Sequence, residues 1–556
     1  MRNRCIQNVF STSAFIKQSF LQNGDSSFRY PGIKENYFPD FPHISRVKTF
    51  DSGEAMKRMQ RFVMNALILT GTSLLMNAVG VWFNIYIAKK IGTQGMGIFQ
   101  LIMSVYSLAV TFATSGINLA STRLVAEELG RNCRNIRPAM RRCLGYSCFF
   151  GAATGVLLFY GAPWIGLYCL GSGDTIRPLK AMAFSMPFLS MSCALGGYFN
   201  AVGRVAKSAV SSVFEQFLKI TLSMIALTLL MPPGLEYACL AITGSGVVAE
   251  GLSWLLAFFF YQTDSHRYQG PNRTNCRLLR RMLGIALPVA ASSYLRTGLT
   301  TIKNLLVPIR LQAGGLSSGA SLSMFGAVHG LALPVILFPA AFLNSFSNLS
   351  IPEIARRHSL GQPIGHLMER LISFNLFCSL AICGILFSFP QQIASFLSPN
   401  PDVAVYIRLL APVVPVMYLD TAVDCMLKGL DEQVAVMRYN VLDAATSMFS
   451  VYFLLPVLGI KGYIFVIIFS EVFNFFLSLS RLVKVSRFSF DLYEKLFKPL
   501  CCISISVLLV KLLFRSGVLP SINGVLGAAM PIVLSSAGYL LLLRLTDYQN
   551  QAKSTC

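Results

Sequence analysis

Apolar runs of about 20 residues recur along almost the whole chain, and nothing else constrains its fold as strongly. A bilayer core of roughly 30 Å takes about 20 apolar residues per helix, because a backbone in hydrocarbon has to satisfy its own hydrogen bonds. Runs that meet this test lie near 62–88, 98–120, 144–169, 179–202, 210–231 and 237–261. After a polar, basic stretch from Gln262 to Arg281 they resume near 282–308, 324–346, 371–390, 404–427, 435–458 and 460–482. Two more, near 499–514 and 524–545, follow a second basic break. The expectation is an all-α integral membrane protein with fourteen transmembrane helices. Composition removes the alternatives: 54% of the 556 residues are hydrophobic and 13% charged, whereas a soluble chain carries about a quarter charged. Disorder, collagen-like repeats and disulfide scaffolds are excluded on the same ground.

The net charge of +23 would point to nucleic acid in a soluble protein. Here it reads as basic loops on the cytoplasmic side of a membrane, with no nucleic-acid partner. With both termini placed in the cytoplasm, the cytoplasmic segments hold 35 of the 47 Lys and Arg and the opposite loops hold eight. The remaining four, Lys219, Arg296, Lys303 and Lys511, fall inside spans. The fourteen Cys form no CxxC pair, and many sit in apolar runs, as do Cys143, Cys148, Cys378 and Cys383. They read as membrane-core residues rather than metal ligands or disulfides. Residues 1–55 are polar and lack the charged start, apolar core and cleavage site of a secretory signal. They read as an upstream mis-start or a disordered extension, with Met56-Lys-Arg-Met-Gln-Arg as the more natural beginning.

The first twelve spans divide into two echoing blocks. Gly92-Thr-Gln-Gly-Met-Gly after the first span is answered by Gly314-Gly-Leu-Ser-Ser-Gly after the seventh. Thr122-Arg-Leu-Val-Ala-Glu corresponds to Ile351-Pro-Glu-Ile-Ala-Arg, and Asn200-Ala-Val-Gly-Arg to Met426-Leu-Lys-Gly-Leu. Six helices followed by six gives two lobes of the same orientation, a parallel repeat that transporters use to rock around a central cavity. The expected organisation is a polar tail over 1–55, a first lobe over 56–265, a second lobe with its basic loop over 266–484, and two additional helices with a tail over 485–556.

Ile91-Gly-Thr-Gln-Gly-Met-Gly-Ile-Phe-Gln-Leu-Ile-Met-Ser-Val-Tyr-Ser-Leu, Thr122-Arg-Leu-Val-Ala-Glu, Ala327-Val-His-Gly-Leu-Ala-Leu-Pro and Ile351-Pro-Glu-Ile resemble the stage V sporulation protein B family. That family is part of the multidrug, oligosaccharidyl-lipid and polysaccharide export superfamily, and the resemblance spans about residues 56 to 545. It implies a flippase of the bacterial plasma membrane that handles undecaprenyl-linked saccharides in peptidoglycan, spore-wall or capsule synthesis. In one respect the chain departs from its relatives. Members of the family tend to carry basic residues in the first span, where this chain has Asn77 and Asn84. Lipid II as substrate therefore does not carry over directly.

Ionisable residues within spans are costly and mark functional candidates. Arg296 and Lys303 are two turns apart on the seventh span with Thr300 between them, a cationic stripe on one helix face. Asn77 and Asn84 have the same spacing in the first span, the repeat equivalent. Together these five are the expected substrate-binding residues, since a guanidinium fork and an ammonium suit a diphosphate. The competing reading has both bases paired with membrane acids as structural ties. Asp420 and Asp424, one turn apart, together with Asn440, Asp443, Glu250 and Glu471, are the candidates for coupling to Na⁺ or H⁺. Glu215 and Lys219 are expected to pair with each other, and His329 to serve as a packing hydrogen bonder. No catalytic residue, resident metal or cofactor is expected, and the partners are the lipid-linked saccharide and membrane lipids, with the protein a monomer. The alternatives are a cation-coupled multidrug antiporter and, more remotely, an integral-membrane acyl- or glycosyltransferase. The short loops hold no DxD, HExxH or phosphate-binding motif for the latter.

Overall fold

The computed structural model describes the backbone of residues 52–554 except 115, 131–135, 230–233, 267–276, 398–399, 487–492 and 517–524. Arg58–Cys556 form one compact unit, and the expectation for residues 1–51 lies outside the described residues. Every regular element among those described is helical. The first half contains α1 (Ser52–Thr114), α2 (Ile117–Gly130), α3 (Ile136–Trp164), α4 (Ile176–Ala183), α5 (Met186–Val202), α6 (Val205–Leu229) and α7 (Leu235–Ser265). The second contains α8 (Arg277–Ala313), α9 (Ser318–Phe325), α10 (Leu333–Leu337), α11 (Ala340–Ser359), α12 (Gly365–Ser388), α13 (Pro390–Leu397), α14 (Asp402–Leu410), α15 (Val414–Gly429) and α16 (Gln433–Ser486). Helices α17 (Lys498–Arg515) and α18 (Val525–Ser554) complete the chain.

Among the described residues, nine helices are long and apolar enough to cross a membrane, or ten if α4 and α5, bent by 46°, act as one. Two of the nine, Thr70–Leu129 and Gln433–Ser486, run for 60 and 54 residues, far beyond the roughly 20 a bilayer needs. Each is interrupted by a glycine in a backbone conformation closed to other residues: Gly92 at φ 71°, ψ 178° and Gly459 at φ 56°, ψ −137°. Helix α8 does not stand among the nine because Arg296 and Lys303 dilute its apolar run and part of it lies outside the described side chains.

Positive φ recurs at matching turns of the two halves. Gly92, Gly203 and Gly234 in the first correspond to Gly315, Asp431 and Gly459 in the second. Beside the second of these turns each half carries a charged clasp, with the signs exchanged. Arg204 pairs with the wholly enclosed Asp264 at the end of α7, which also meets Lys207 at 3.7 Å and accepts from the Tyr198 hydroxyl at 3.1 Å. In the other half Glu432 meets Arg481 of α16 at 2.7 Å.

The cores explain how the halves join. At the end of the bundle holding these clasps, Leu124, Met140, Tyr198 and Tyr261 form a core confined to the first half, and Ile354, Met426 and Leu482 one confined to the second. At the Gly92 end a single core runs through both, with Met96 and Ile102 packed among Val307, Leu311, Phe325 and Leu331. Glycine makes that contact possible. A Cβ on Gly97 would lie 2.1 Å from the Leu322 carbonyl oxygen, and one on Gly326 would lie 2.2 Å from that of Thr93. The Thr93 and Ser323 hydroxyls meet across the same seam at 2.7 Å. The halves thus share a core at the Gly92 end and keep separate cores at the other. Separately, α17 and α18 pack on each other and on α12 through Ile503, Val507, Tyr539 and Phe389.

Candidate functional site

Helix α8 stands at the boundary between the lobes, packed on α16 of its own half and on α2 of the other. One of its faces is fixed by hydrogen bonds to the first lobe. Thr301 donates to the Ser104 carbonyl at 3.2 Å and Asn304 to the Ser104 hydroxyl at 3.1 Å, while Tyr294 packs on Phe112 with ring centroids 4.5 Å apart. Residues 300 and 303 each precede one of those anchors by one position, and with residue 296 they form a separate stripe of the helix. Arg296 is exposed, Thr300 and Lys303 are half-buried, and the Thr300 hydroxyl donates to the Arg296 carbonyl at 2.9 Å.

Asp420 and Asp424 of α15 and Asp443 of α16 have hydrogen-bond donors of their own. Asn474 donates to Asp420 Oδ2 at 2.9 Å, leaving Asp420 Oδ1 and Asn474 Oδ1 buried without a partner. Ser478 donates to Asp424 at 3.1 Å and Asn440 to its other oxygen at 3.4 Å. Ser470 donates to Asp443 at 2.5 Å. Asp443 and Glu471 lie within electrostatic range of both Arg296 and Lys303, and Asp424 within range of Arg296. Among the described residues neither base approaches a carboxylate within 4.0 Å. The direct ion pairs of the competing structural reading are thus not formed in this conformation. Asp420, Asp424 and Asp443 are held by amides and hydroxyls instead.

The second-lobe candidates therefore gather on three helices, α8, α15 and α16. The first-lobe candidates do not join them by hydrogen bonds. Asn77 is exposed and donates to the Ser73 carbonyl of its own helix at 2.7 Å, and Asn84 is half-buried. Glu250 belongs to the interior of the first lobe, where it accepts from Tyr106. Glu215 and Lys219, expected to pair, do not come within 4.0 Å among the described residues but lie within electrostatic range of each other. His329 is stacked on Phe325 at 5.2 Å with Nδ1 buried and unbonded, so it packs without the hydrogen bond there that was expected of it. Sequence reasoning missed the donors: Ser470, Asn474 and Ser478 fall at four-residue intervals on one face of α16. That polar stripe was visible in the sequence but carries no charge.

Two lobes with separate cores at one end and a common core at the other describe a two-lobed helical bundle rich in membrane-span candidates. The comparisons make the class more specific. A family model described as "Polysaccharide biosynthesis protein" matches residues 62–324. Stage V sporulation protein B of Bacillus subtilis (strain 168) is 25% identical over 450 residues, covering 78% of this chain and 86% of that protein. The probable multidrug resistance protein NorM of Acinetobacter baylyi is 24% identical over 57% of this chain and 69% of its own. Among solved structures, the lipid II flippase MurJ in an inward closed conformation superposes with a TM-score of 0.66 at 13% identity, over 87% of this chain and all of that one. An inward-facing multidrug resistance MATE family transporter gives 0.58 at 14% identity, over 76% and 99%. The likeness to stage V sporulation protein B read from the sequence is borne out, and the fold is that of the MurJ and MATE transporters. The two solved structures are described as a flippase and a transporter.

Proposed function

We propose that this chain is a flippase that moves an undecaprenyl-diphosphate-linked oligosaccharide, a peptidoglycan precursor or another polysaccharide intermediate, across the bacterial plasma membrane by alternating access. In this reading there are fourteen spans with both termini cytoplasmic: α1 and α16 each fold back at their glycine into two, and α4–α5, α9–α11 and α14–α15 each make one. The Gly92 end, with its shared core, then faces outward and the other end faces the cytoplasm.

One observation supports the reading: Arg296 is exposed on α8, a helix at the lobe boundary, with no carboxylate within 4.0 Å among the described residues. A permanently charged fork in such a place suits a diphosphate, with Lys303 one stripe position further in, Thr300 between them, and Asn77 and Asn84 on the opposite wall. Asp420, Asp424, Asp443, Glu471 and Asn440 are where Na⁺ or H⁺ would couple the cycle. The test is flipping beside membrane abundance. Arg296→Ala or Lys303→Ala should abolish flipping while the protein still accumulates, Arg296→Lys should recover part, and Arg296→Glu should be worse than Ala. Normal flipping in both Ala variants would overturn the assignment.

A cation-coupled multidrug antiporter is the second reading, supported by four carboxylates against two bases in the cluster on α8, α15 and α16 and by the likeness to NorM. It expects Arg296→Ala to leave cationic drug efflux intact and Asp420→Asn to abolish it.

A further inference from the structure

A groove of about 480 Å³ runs between α1 and α6 of the first lobe. Ile68 and Thr72 form its α1 wall, and Ala206, Ala209, Val213 and Phe217 belong to its α6 wall. The Thr72 hydroxyl donates to the Ile68 carbonyl of its own helix at 2.7 Å, and the other lining side chains are apolar. The two alanines give the groove its depth, and Phe217, 69% exposed, stands at its open rim. Helix α6 packs along α7, yet only 22% of its most apolar window is buried, the smallest share among the nine spans. An empty apolar hollow of this size forfeits the contacts of a packed interior, and walls without polar partners do not hold water. Hydrocarbon is what such a groove takes.

The dimensions match one chain of one leaflet. From Ala206 to Phe217 the helix rises about 16 Å, close to half of a bilayer core of roughly 30 Å. At the lower end stands a cluster of bases. Arg204 and Lys207, on either side of Ala206, both meet Asp264 at the end of α7, Lys207 at 3.7 Å. Arg137 donates to the neighbouring Ser265 carbonyl at 2.9 Å. Two bases thus share one carboxylate and a third stands beside them, which leaves this end positive among the described residues. The Arg204 and Lys207 side chains keep 29% of their surface exposed. The stretch leading into the α1 wall, Met56-Lys-Arg-Met-Gln-Arg, is basic as well. An apolar slot one leaflet deep that ends in surplus positive charge fits a lipid with an anionic phosphate head.

We propose that the groove between α1 and α6 is a binding site for an anionic phospholipid, with one acyl chain along Ala206–Phe217 and the phosphate at Arg204 and Lys207. In the orientation proposed above, the lipid comes from the cytoplasmic leaflet. It fills the gap between the first span and α6 and so braces the first lobe. The polyprenyl tail of the proposed substrate is far longer than the groove and is the poorer occupant. No residue assigned to substrate binding lines the groove, so the site is independent of flipping.

The experiment reads lipid preference at the rim. With Trp82, Trp164 and Trp254 changed to Phe, Phe217→Trp supplies a single fluorophore. Leu157→Trp, at a position of α3 that is 73% exposed, supplies the control. Each protein is reconstituted in phosphatidylcholine vesicles with rising fractions of brominated phosphatidylglycerol or brominated phosphatidylcholine, whose bromines quench tryptophan on contact. At position 217 the phosphatidylglycerol should reach half-quenching at a several-fold lower mole fraction, and at position 157 the two lipids should coincide. Lys207→Gln, which leaves the Arg204–Asp264 pair in place, should shrink the preference. Ala209→Phe, which fills the slot, should abolish it, while unchanged quenching at position 157 shows that the protein is still inserted. Equal quenching by the two lipids at position 217, or a preference that survives either change, overturns the proposal. Displacement of the brominated phosphatidylglycerol by an equal mole fraction of undecaprenyl phosphate would also overturn it, because the groove would then belong to the substrate's tail.

Discussion

Asp420 shows how a membrane interior can hold an acid without a counter-ion. Among the described residues its donor is Asn474, and one oxygen on each side chain is orphaned. A hydrogen bond to a charged group is worth about 1.5–3 kcal/mol, and a buried polar group left unsatisfied costs its full desolvation. Asn474→Ala should therefore lower the thermal stability of the purified protein by roughly that amount. The double variant Asp420→Leu with Asn474→Leu should cost less than the sum of its singles, because the pair is removed together. Additive losses would show that the two residues act independently. Charged residues could be picked out of the sequence because their cost in hydrocarbon singles them out. Asn474, Ser470 and Ser478 could not, since serine and asparagine are ordinary in membrane helices, and only the fold aims them at particular carboxylates.

Among the elements, α1 and α9 with the residues following it behave as facing rails whose spacing is set by missing side chains. Gly97 and Gly326 bring backbone against backbone, and at either position a methyl group would lie far inside contact distance of a carbonyl oxygen. Gly97→Ala should accordingly open the seam, lowering the oxidative cross-link of Thr93→Cys with Ser323→Cys, whose native hydroxyls are 2.7 Å apart, several-fold while the protein still inserts. Gly196 is the control, because its Cβ would meet its nearest atoms at 3.6 Å; Gly196→Ala should leave the cross-link unchanged. An unaffected cross-link in Gly97→Ala would mean that Gly97 does not set the spacing of the seam. The Gly92 motif was recognisable as a repeat landmark. Its neighbour's role in the seam was not, since a close approach depends on which distant helix arrives there.

For the whole molecule, the proposed orientation is tested by labelling from outside. Single cysteines at Ser172, Ser318 and Asn400 in a cysteine-free background should react, and those at Asn135 and Asn272 should not. Outside labelling of Asn135 would reverse the orientation and the assignment of the outward end. Much of the architecture follows from the chain alone. Apolar length makes the helices membrane-spanning, the cost of desolvating an ammonium or guanidinium confines Lys and Arg to particular loops, and recurrent glycines mark the turns of two alike halves. Each of these is a local property, decided by a segment and its solvent. Two things were not local. Tertiary packing decided that the lobes share one core at the Gly92 end and divide at the other, and that the α8 bases and the α15 and α16 acids approach one another without pairing. Helices of similar apolar character pack almost equally well on many partners, so which faces meet is settled by small residues and buried polar contacts that take effect only once the whole bundle is assembled.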